Sequence, residues 1–412
     1  MTARPASVEV AIVGSGLVGM ISALLLAAAG LEVVLIDPVT QLPIRDEPFD
    51  LRTYALTPAS RRILAGSGVW AELEQARIST FEAIEVWDGV GRGALRFDPP
   101  AAAKQPLAYL VEHANLISAC HRTLATHSNL SDLAGQVSAV VPTDHDCVLH
   151  LADGRQLRAA MVLACDGGDS PLREKCGFEC EEVDYGQQAV VANVTTTLAH
   201  ARVARQRFLA SGPLAFLPLP PAHESAVVWT TTPAQAAWAI TCSDSEFCAT
   251  LGHAFESRLG AVLGTSRRLS FPLRRLHARQ YARGRVALVG DAAHVIHPLA
   301  GQGLNLGLLD AAMLAEILGT SEHAAWCYPQ SLLQRYSRAR RAENLLMLTV
   351  TEQLNRLFAT THPALVWLRN SGFNLTQHWP PLKQNLIAHA MGERGDLPAL
   401  ARRVCSSILE AP

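Results

Sequence analysis

The chain has 412 residues, enough for about two or three structural units, and it carries 49% hydrophobic against only 17% charged residues, so it can bury a large core and is neither disordered nor low in complexity. Lys and Arg (35) nearly balance Asp and Glu (37), no block of five like charges occurs, and aromatic residues amount to 6%, which excludes the basic footprint and the stacking platform of a nucleic-acid binder. The 9 cysteines are odd in number and contain no C-x-x-C pair, and no His or Cys pair answers Cys176 and Cys180 at zinc spacing; free thiols in a reducing compartment and no metal are expected.

The first element is an apolar strand, Val8 to Val13, buried on both faces. A glycine turn leads into a helix from Leu17 to Ala29 that Gly30 closes, and Leu31 to Ile36 is a second buried strand, completing a βαβ unit. The uncharged run from Val10 to Leu31 imitates a membrane span or a signal peptide, with Ala27, Ala28 and Ala29 in place of a cleavage site. Glu9 just before it, Arg4 as the lone upstream base, and glycines at 14, 16 and 19 argue for a nucleotide fold and a cytoplasmic protein instead.

A helix is expected from Thr57 to Trp70, with Thr57 as N-cap and Pro58 at the first turn. Strand pieces follow over 81–98, a helix over Asn115–Thr126, and a β-meander over Val137–Leu163 turning at Asp153-Gly154. Residues 185–275 contain short apolar strands, among them QAVVANV, LAFLPL, SAVVWTT and AWAITC, and read as an antiparallel sheet apart from the nucleotide fold. Arg285–Val289 is one more buried strand, Leu304–Leu318 a helix, and 331–409 mostly helical with a break at Pro380-Pro381.

Three motifs carry chemistry. In Gly14-Ser15-Gly16-Leu17-Val18-Gly19, Gly14 permits the tight turn, Gly16 lets backbone approach a pyrophosphate, and Gly19 lets the helix pack on its strand. Asp37 ends the second strand where an acid takes ribose hydroxyls. The second motif, Cys165-Asp166-Gly167-Gly168-Asp169-Ser170, ends a buried strand and by itself is only a turn. The third runs from Gly290-Asp291 through His294, His297 and Pro298-Leu299-Ala300 to Gly301-Gln302-Gly303-Leu304-Asn305. Asp291 is an acceptor placed for the ribityl or phosphate side of a nucleotide, and the free N–H groups of Gly301–Asn305 make a positive helix end suited to negative charge on a planar ring.

In order and spacing these motifs resemble the group A flavoprotein monooxygenases of the p-hydroxybenzoate hydroxylase fold. Asp50-Leu51-Arg52, Gly68-Val69-Trp70, Glu85-Val86-Trp87-Asp88, Gly212-Pro213-Leu214-Ala215, Pro218-Leu219 and the tail from Gly372-Phe373-Asn374 through Met391-Gly392 to Leu397-Pro398 are similar to the ubiquinone-biosynthesis hydroxylases. The resemblance covers nearly the whole chain. It implies an α/β fold: a Rossmann-like FAD-binding domain over 1–80, 101–184 and 276–330, an antiparallel β-sheet substrate domain over 81–100 and 185–275, and a C-terminal helical region over 331–412. It implies one FAD per chain and hydroxylation of a polyprenylated phenol through a C4a-hydroperoxyflavin. The stretches Glu85–Asp88 and Val183-Asp184-Tyr185 look most like the members acting at ring carbon C5, while C6 and C1 hydroxylases share the flavin motifs. By the same resemblance Arg52 lies near the flavin, Asp291 binds the ribityl-phosphate region, Pro298 and Gly301–Asn305 flank the isoalloxazine, and Asp166 and Gly167 join the cofactor site. The chain departs from the family at Cys165, where Gly or Ala is usual, and at Ala114, Ile117 and Ser118, where an Arg or Gln is usual.

No catalytic base stands out; His294, His297 and Tyr185 are candidates. Phe208, Phe216, Leu217 and Trp229 are the apolar candidates for the substrate wall. No second G-x-G-x-x-G follows a strand, so NAD(P)H or another reductant must act as a transient donor. Three alternatives stand beside the leading one: a C6 or C1 hydroxylase of the same pathway, a flavoenzyme for another apolar aromatic substrate, and a flavin-binding scaffold of low activity. The tail carries Leu345, Leu348, Leu354, Leu357, Phe358, Leu365, Trp367 and Leu368, with Arg335, Arg338, Arg340, Arg341, Arg356 and Arg369 nearby. This series serves either packing or peripheral contact at the inner membrane, with lipid or with other ubiquinone-biosynthesis proteins.

Overall fold

The structure, a computed structural model, describes residues 7–38, 48–91, 93–99, 105–298, 301–321, 329–360 and 362–402. Leu299 and Ala300 of the third motif, and Cys327 and Cys405, lie outside the described residues. The first sheet is built on β1 (Ser7–Val13), with β2 (Val33–Asp37) and β11 (Gln156–Ala164) parallel on either side. β8 (Leu130–Ala134) extends it beyond β2, and β19 (Val286–Leu288) beyond β11. The meander β9 (Val137–Pro142) and β10 (Cys147–Leu151) hangs from β11, and β18 (Ala282–Arg283) closes the edge beside β19. Val10, Ala11, Ile12, Val162 and Leu163 are fully buried, as strands covered on both faces require. One cover is α1 (Leu17–Ala28), against which α7 (Gly303–Gly319) packs.

The second sheet runs β20 (His294–Val295), β17 (Leu269–Ala278), β12 (Cys180–Thr196), β15 (Glu224–Thr231), β14 (Gly212–Pro218), β13 (Val203–Leu209), β5 (Ala83–Asp88), β6 (Ala94–Phe97), with β16 (Val262–Thr265) beside β12. It is antiparallel except where β13 pairs in parallel with β5. A small third sheet, β3 (Thr53–Leu56), β7 (Ala108–Glu112) and β4 (Ser79–Phe81), joins the two. The expected helix starts at Thr57: its hydroxyl accepts from the Ser60 N–H and caps α2 (Pro58–Gly66). The helix expected from Asn115 is α3 (His113–Leu124).

One strand expectation is overturned. AWAITC lies in α5 (Pro233–Thr241), not in the sheet, and it is followed by α6 (Asp244–Ala254). Thr232-Pro233 is the same cap signal that opens α2, and Ser243 with Glu246 forms a reciprocal capping box; both outweigh the β-propensity of Trp and Ile. α5 and α6 cover the outer face of the second sheet, with Phe247, Leu251 and Phe255 packed on Val227, Trp229 and Phe216.

The tail forms α8 (Pro329–Ala359), α9 (Pro363–His378) and α10 (Pro380–Ala390). Two of its arginines are not on a polar face. Arg340 is buried against Asp310 of α7 at 2.8 Å, and Arg369 is buried against Asp88 of β5 at 2.8 Å. Leu348 and Phe358 are core residues, whereas Leu354, Leu365, Trp367 and Leu368 are exposed.

Candidate active site

A cleft of about 950 Å³ lies between the first sheet's glycine turns and the inner face of the second sheet. Of the residues expected to hold a cofactor, Gly16, Arg52, Gly167, Asp291, Pro298, Gly301, Gln302, Gly303 and Leu304 line it. Gly14, Gly19, Asp37, Asp166 and Asn305 stand behind and hold the frame. Gly14 has φ +106°, and a Cβ there would lie 2.4 Å from the Cys165 carbonyl oxygen. The Ser15 N–H donates to Asp37 Oδ2 at 2.7 Å, tying the turn to the end of β2. The Asp166 carboxylate is turned into its own loop, accepting from Ser170 Oγ and, at 3.0 Å, from the Leu172 N–H.

Asn305 is a staple. Its Oδ1 accepts from the Thr57 N–H (2.9 Å) and Ser60 Oγ (2.6 Å), and its Nδ2 donates to the carbonyls of Ala55 (2.9 Å) and Gly301 (3.0 Å). The amide's two donor hydrogens and both acceptor positions are thus used inside the protein. This fixes the start of α7 against β3 and α2.

Asp291 is open toward the cleft and enclosed by protein behind, so desolvation raises its pKa, with His294 and Arg52 pulling the other way. Asp50 positions the neighbouring wall: its Oδ1 accepts from the Arg52 N–H at 3.0 Å, and its Oδ2 from the Ala114 N–H at 3.1 Å in the first turn of α3. The Arg52 guanidinium sits 5.7 Å from the centre of the Tyr54 ring. The Tyr54 hydroxyl and His113 Nδ1 are 3.2 Å apart. Burial pushes Tyr54 up to about 12. Burial, with Arg52 adding to it, holds His113 down at about 4, so both are neutral near pH 7.

The three candidate bases do not line the cleft. His294 Nε2 is bonded at 2.5 Å to Asp310 Oδ2, behind the turn. Asp310 Oδ1 accepts from Arg340 Nε and, at 3.1 Å, from Asn344 Nδ2, and Oδ2 also faces the Gly290 N–H at 3.3 Å. Burial alone would raise the Asp310 pKa, but His294 and Arg340 beside it hold it well below the carboxylate range. His297 packs edge-on to Tyr185 with ring centres 5.1 Å apart, and burial holds it at about 4. Sequence reading missed Tyr54, His113 and Asp310. A lone acid amid the apolar stretch Leu304–Ala315 was the available signal for Asp310.

The substrate wall also differs from expectation. Side chains alternate across a strand. Pro213, Ala215 and Leu217 of β14 and Val228 and Thr230 of β15 therefore line the cleft, while Phe216 and Trp229 face α5 and α6. Phe208 stacks on Phe358 of α8 at 3.7 Å. Of the four named residues only Leu217 reaches the cleft; Ile84, Val86, Phe97, Ile387 and Met391 complete its apolar end.

Neither α1 nor α7 has a side-chain cap at its N-terminus, and both ends open on the cleft at Gly16 and at Gly303-Leu304. Nothing stands within 4 Å of a Cβ placed on Gly16. Two free helix ends, one beside a carboxylate, fit the pyrophosphate and the ring system of a flavin dinucleotide.

The chain belongs to the family described as FAD binding domain, whose model matches residues 7–349. It is 35% identical to the ubiquinone hydroxylase UbiL of Rhodospirillum rubrum, over 93% of this chain and 89% of that one. It is 33% identical to the 3-demethoxyubiquinol 3-hydroxylase of Escherichia coli, over 95% of this chain and all (100%) of that one. The crystal structure of p-nitrophenol 4-monooxygenase from Pseudomonas putida superposes with a TM-score of 0.75 at 22% identity, covering 94% of this chain and 99% of that one, and shares the fold. The chain is thus an FAD-dependent monooxygenase, an oxidoreductase.

Proposed function

We propose that the chain hydroxylates the aromatic ring of a polyprenylated phenol at C5 on the route to ubiquinone. The observation that carries this reading is the polarity gradient of the cleft. Two free helix ends and Asp291 line the cleft from the nucleotide fold, and Ile84, Val86, Phe97, Ile387 and Met391 line it from the second sheet and the tail, with Arg205 and Gln206 of β13 beside them. A ring with a long apolar tail matches that gradient. The names of the two relatives support the pathway.

In this reading residues 1–80, 101–184 and 276–330 hold FAD, and 81–100 and 185–275 shape the substrate space. Gly14, Gly16 and Gly19 admit the pyrophosphate, and Asp37 takes ribose hydroxyls. Asp291 accepts hydrogen bonds from the ribityl side, and the N–H groups of Gly301–Asn305 face the ring system. Bound FAD supplies the activated oxygen. The protein orients the phenol and excludes water with the apolar wall. NAD(P)H binds transiently, and other proteins of ubiquinone biosynthesis are the expected partners.

A second reading places the hydroxyl as the Escherichia coli relative's name does, on demethoxyubiquinol; the 33% identity over all (100%) of that relative favours it. Quinone profiling of a deletion strain by mass spectrometry tests the choice. A C5 enzyme leaves an intermediate unsubstituted at C5. Accumulation of a product already hydroxylated there overturns the C5 assignment and favours the second reading.

A further inference from the structure

α9 is inside out. A surface helix ordinarily packs its apolar stripe and exposes its charges. Here the packed side is largely polar, with Phe373 against Phe358 as its apolar contact. Arg369 is buried in an ion pair with Asp88 and donates to the carbonyls of Leu357, Phe358 and Thr360. Asn370 donates to Asp88 at 2.8 Å and accepts from the Gly93 N–H. The solvent side carries Leu365 (42% exposed), Trp367 (70%), Leu368 (56%) and Leu375 (58%), and Trp379 (53%) follows at the C-cap. No charged residue stands among the exposed positions of α9. Exposed apolar surface on this scale, contiguous along one helix, marks a contact site.

The charge pattern indicates the occupant. Residues 353–392 contain no Asp or Glu, and the exposed His362 and His378 stand at the two ends of α9, while Lys383 of α10 turns to Gln377 on its packed side. Such a surface meets an anionic headgroup layer without repulsion, and two tryptophans beside leucines are the composition of a helix lying in the bilayer interface. No helix among the described residues is long and apolar enough to cross a membrane, so the contact is lateral. The face is also continuous with the site: α10 follows α9 directly, and its Ile387, with Met391, lines the apolar end of the cleft.

We infer that the solvent face of α9 seats on an anionic lipid bilayer and sets the apolar end of the cleft beside the membrane, where a prenyl chain resides. The link to the prenyl chain rests on the proposed substrate; the lipid contact itself does not.

The test is flotation of the FAD-loaded full chain with vesicles of phosphatidylethanolamine and phosphatidylglycerol, against vesicles of phosphatidylcholine alone. Wild type floats with the anionic vesicles. The variant Trp367→Ser, Leu368→Gln stays below, its partition coefficient falling roughly tenfold for each large apolar side chain exchanged. These side chains are exposed, so flavin content and Tm stay at wild-type values; should that pair misfold, Leu375→Gln with Trp379→Ser serves in its place. The idea is overturned by wild type that stays below, or by variants that float as well as wild type. A self-associated species that the same substitutions dissolve without any flotation also overturns it. Turnover of a short-chain prenylphenol in detergent tests the substrate reading separately, because it needs no vesicle.

Discussion

Gly19 stands so close to Gly14 that a Cβ on it would lie 1.9 Å from the Gly14 carbonyl oxygen, while a Cβ on Gly16, between them, meets nothing within 4 Å. The three glycines of one motif therefore answer to different demands. Gly19→Ala forces backbone apart and should cost about 3 kcal/mol, read as a fall in Tm. Gly16 has φ −67° and ψ 173°, which valine adopts freely, so Gly16→Val should keep wild-type Tm. Its FAD affinity should fall roughly tenfold or more, measured by flavin fluorescence on the apoprotein. Unchanged flavin content in Gly16→Val would refute the assigned role of the turn.

Asp291→Ala should lower FAD occupancy far more than Asp169→Ala. Asp291 opens on the cleft, whereas the Asp169 side chain is 90% exposed and paired with Arg274 on the surface. The absorbance ratio of flavin to protein after gel filtration measures both; equal losses count against the assignment.

Asp310→Ala leaves the Arg340 guanidinium and the His294 ring buried without their acceptor. Removing one partner of a buried pair costs on the order of 3–5 kcal/mol. Urea unfolding should show that loss, together with weaker FAD binding through the loosened Gly290 turn. A change below about 1 kcal/mol would mean the network is dispensable.

His113, His277 and His297 are each held at about 4, mainly by burial, against 6.5 when free. The unfolded chain therefore takes up protons between these values that the folded chain refuses. Stability should be full above about pH 6.5 and decline as pH falls toward about 4. His297→Gln should flatten part of that slope in Tm measured against pH. A variant with the wild-type slope would remove His297 from the account.

Ala215 faces the cleft while its neighbour Phe216 is core. Ala215→Trp should raise KM for a prenylphenol at unchanged flavin content, and Phe216→Ala should instead cost about 3–5 kcal/mol in stability. The reverse pattern in steady-state kinetics and thermal melts would mean the strand register is misassigned.

The nucleotide fold was legible because its signals are local. A strand, three glycines and an acid at the end of the next strand lie within Val8–Asp37, and each is fixed by backbone sterics. The wall was not legible. Leu217 and Trp229 are equally apolar, and which face of the sheet becomes cleft depends on α5 and α6, one of which was itself read as a strand. The Asp310 network was invisible for a related reason: its members come from β20, α7 and α8, and only tertiary packing brings them together.

The staple formed by Asn305 bears on how the protein is made. During synthesis the first glycine turn leaves the ribosome long before α7 and α8 exist. Until then α1 lacks the helix that packs on it, and the Gly301–Leu304 side of the cleft is missing. The cleft is therefore complete only once the chain has been made through α7. A nascent chain halted within the second sheet is an empty, sticky fragment and a natural client for chaperones or proteases.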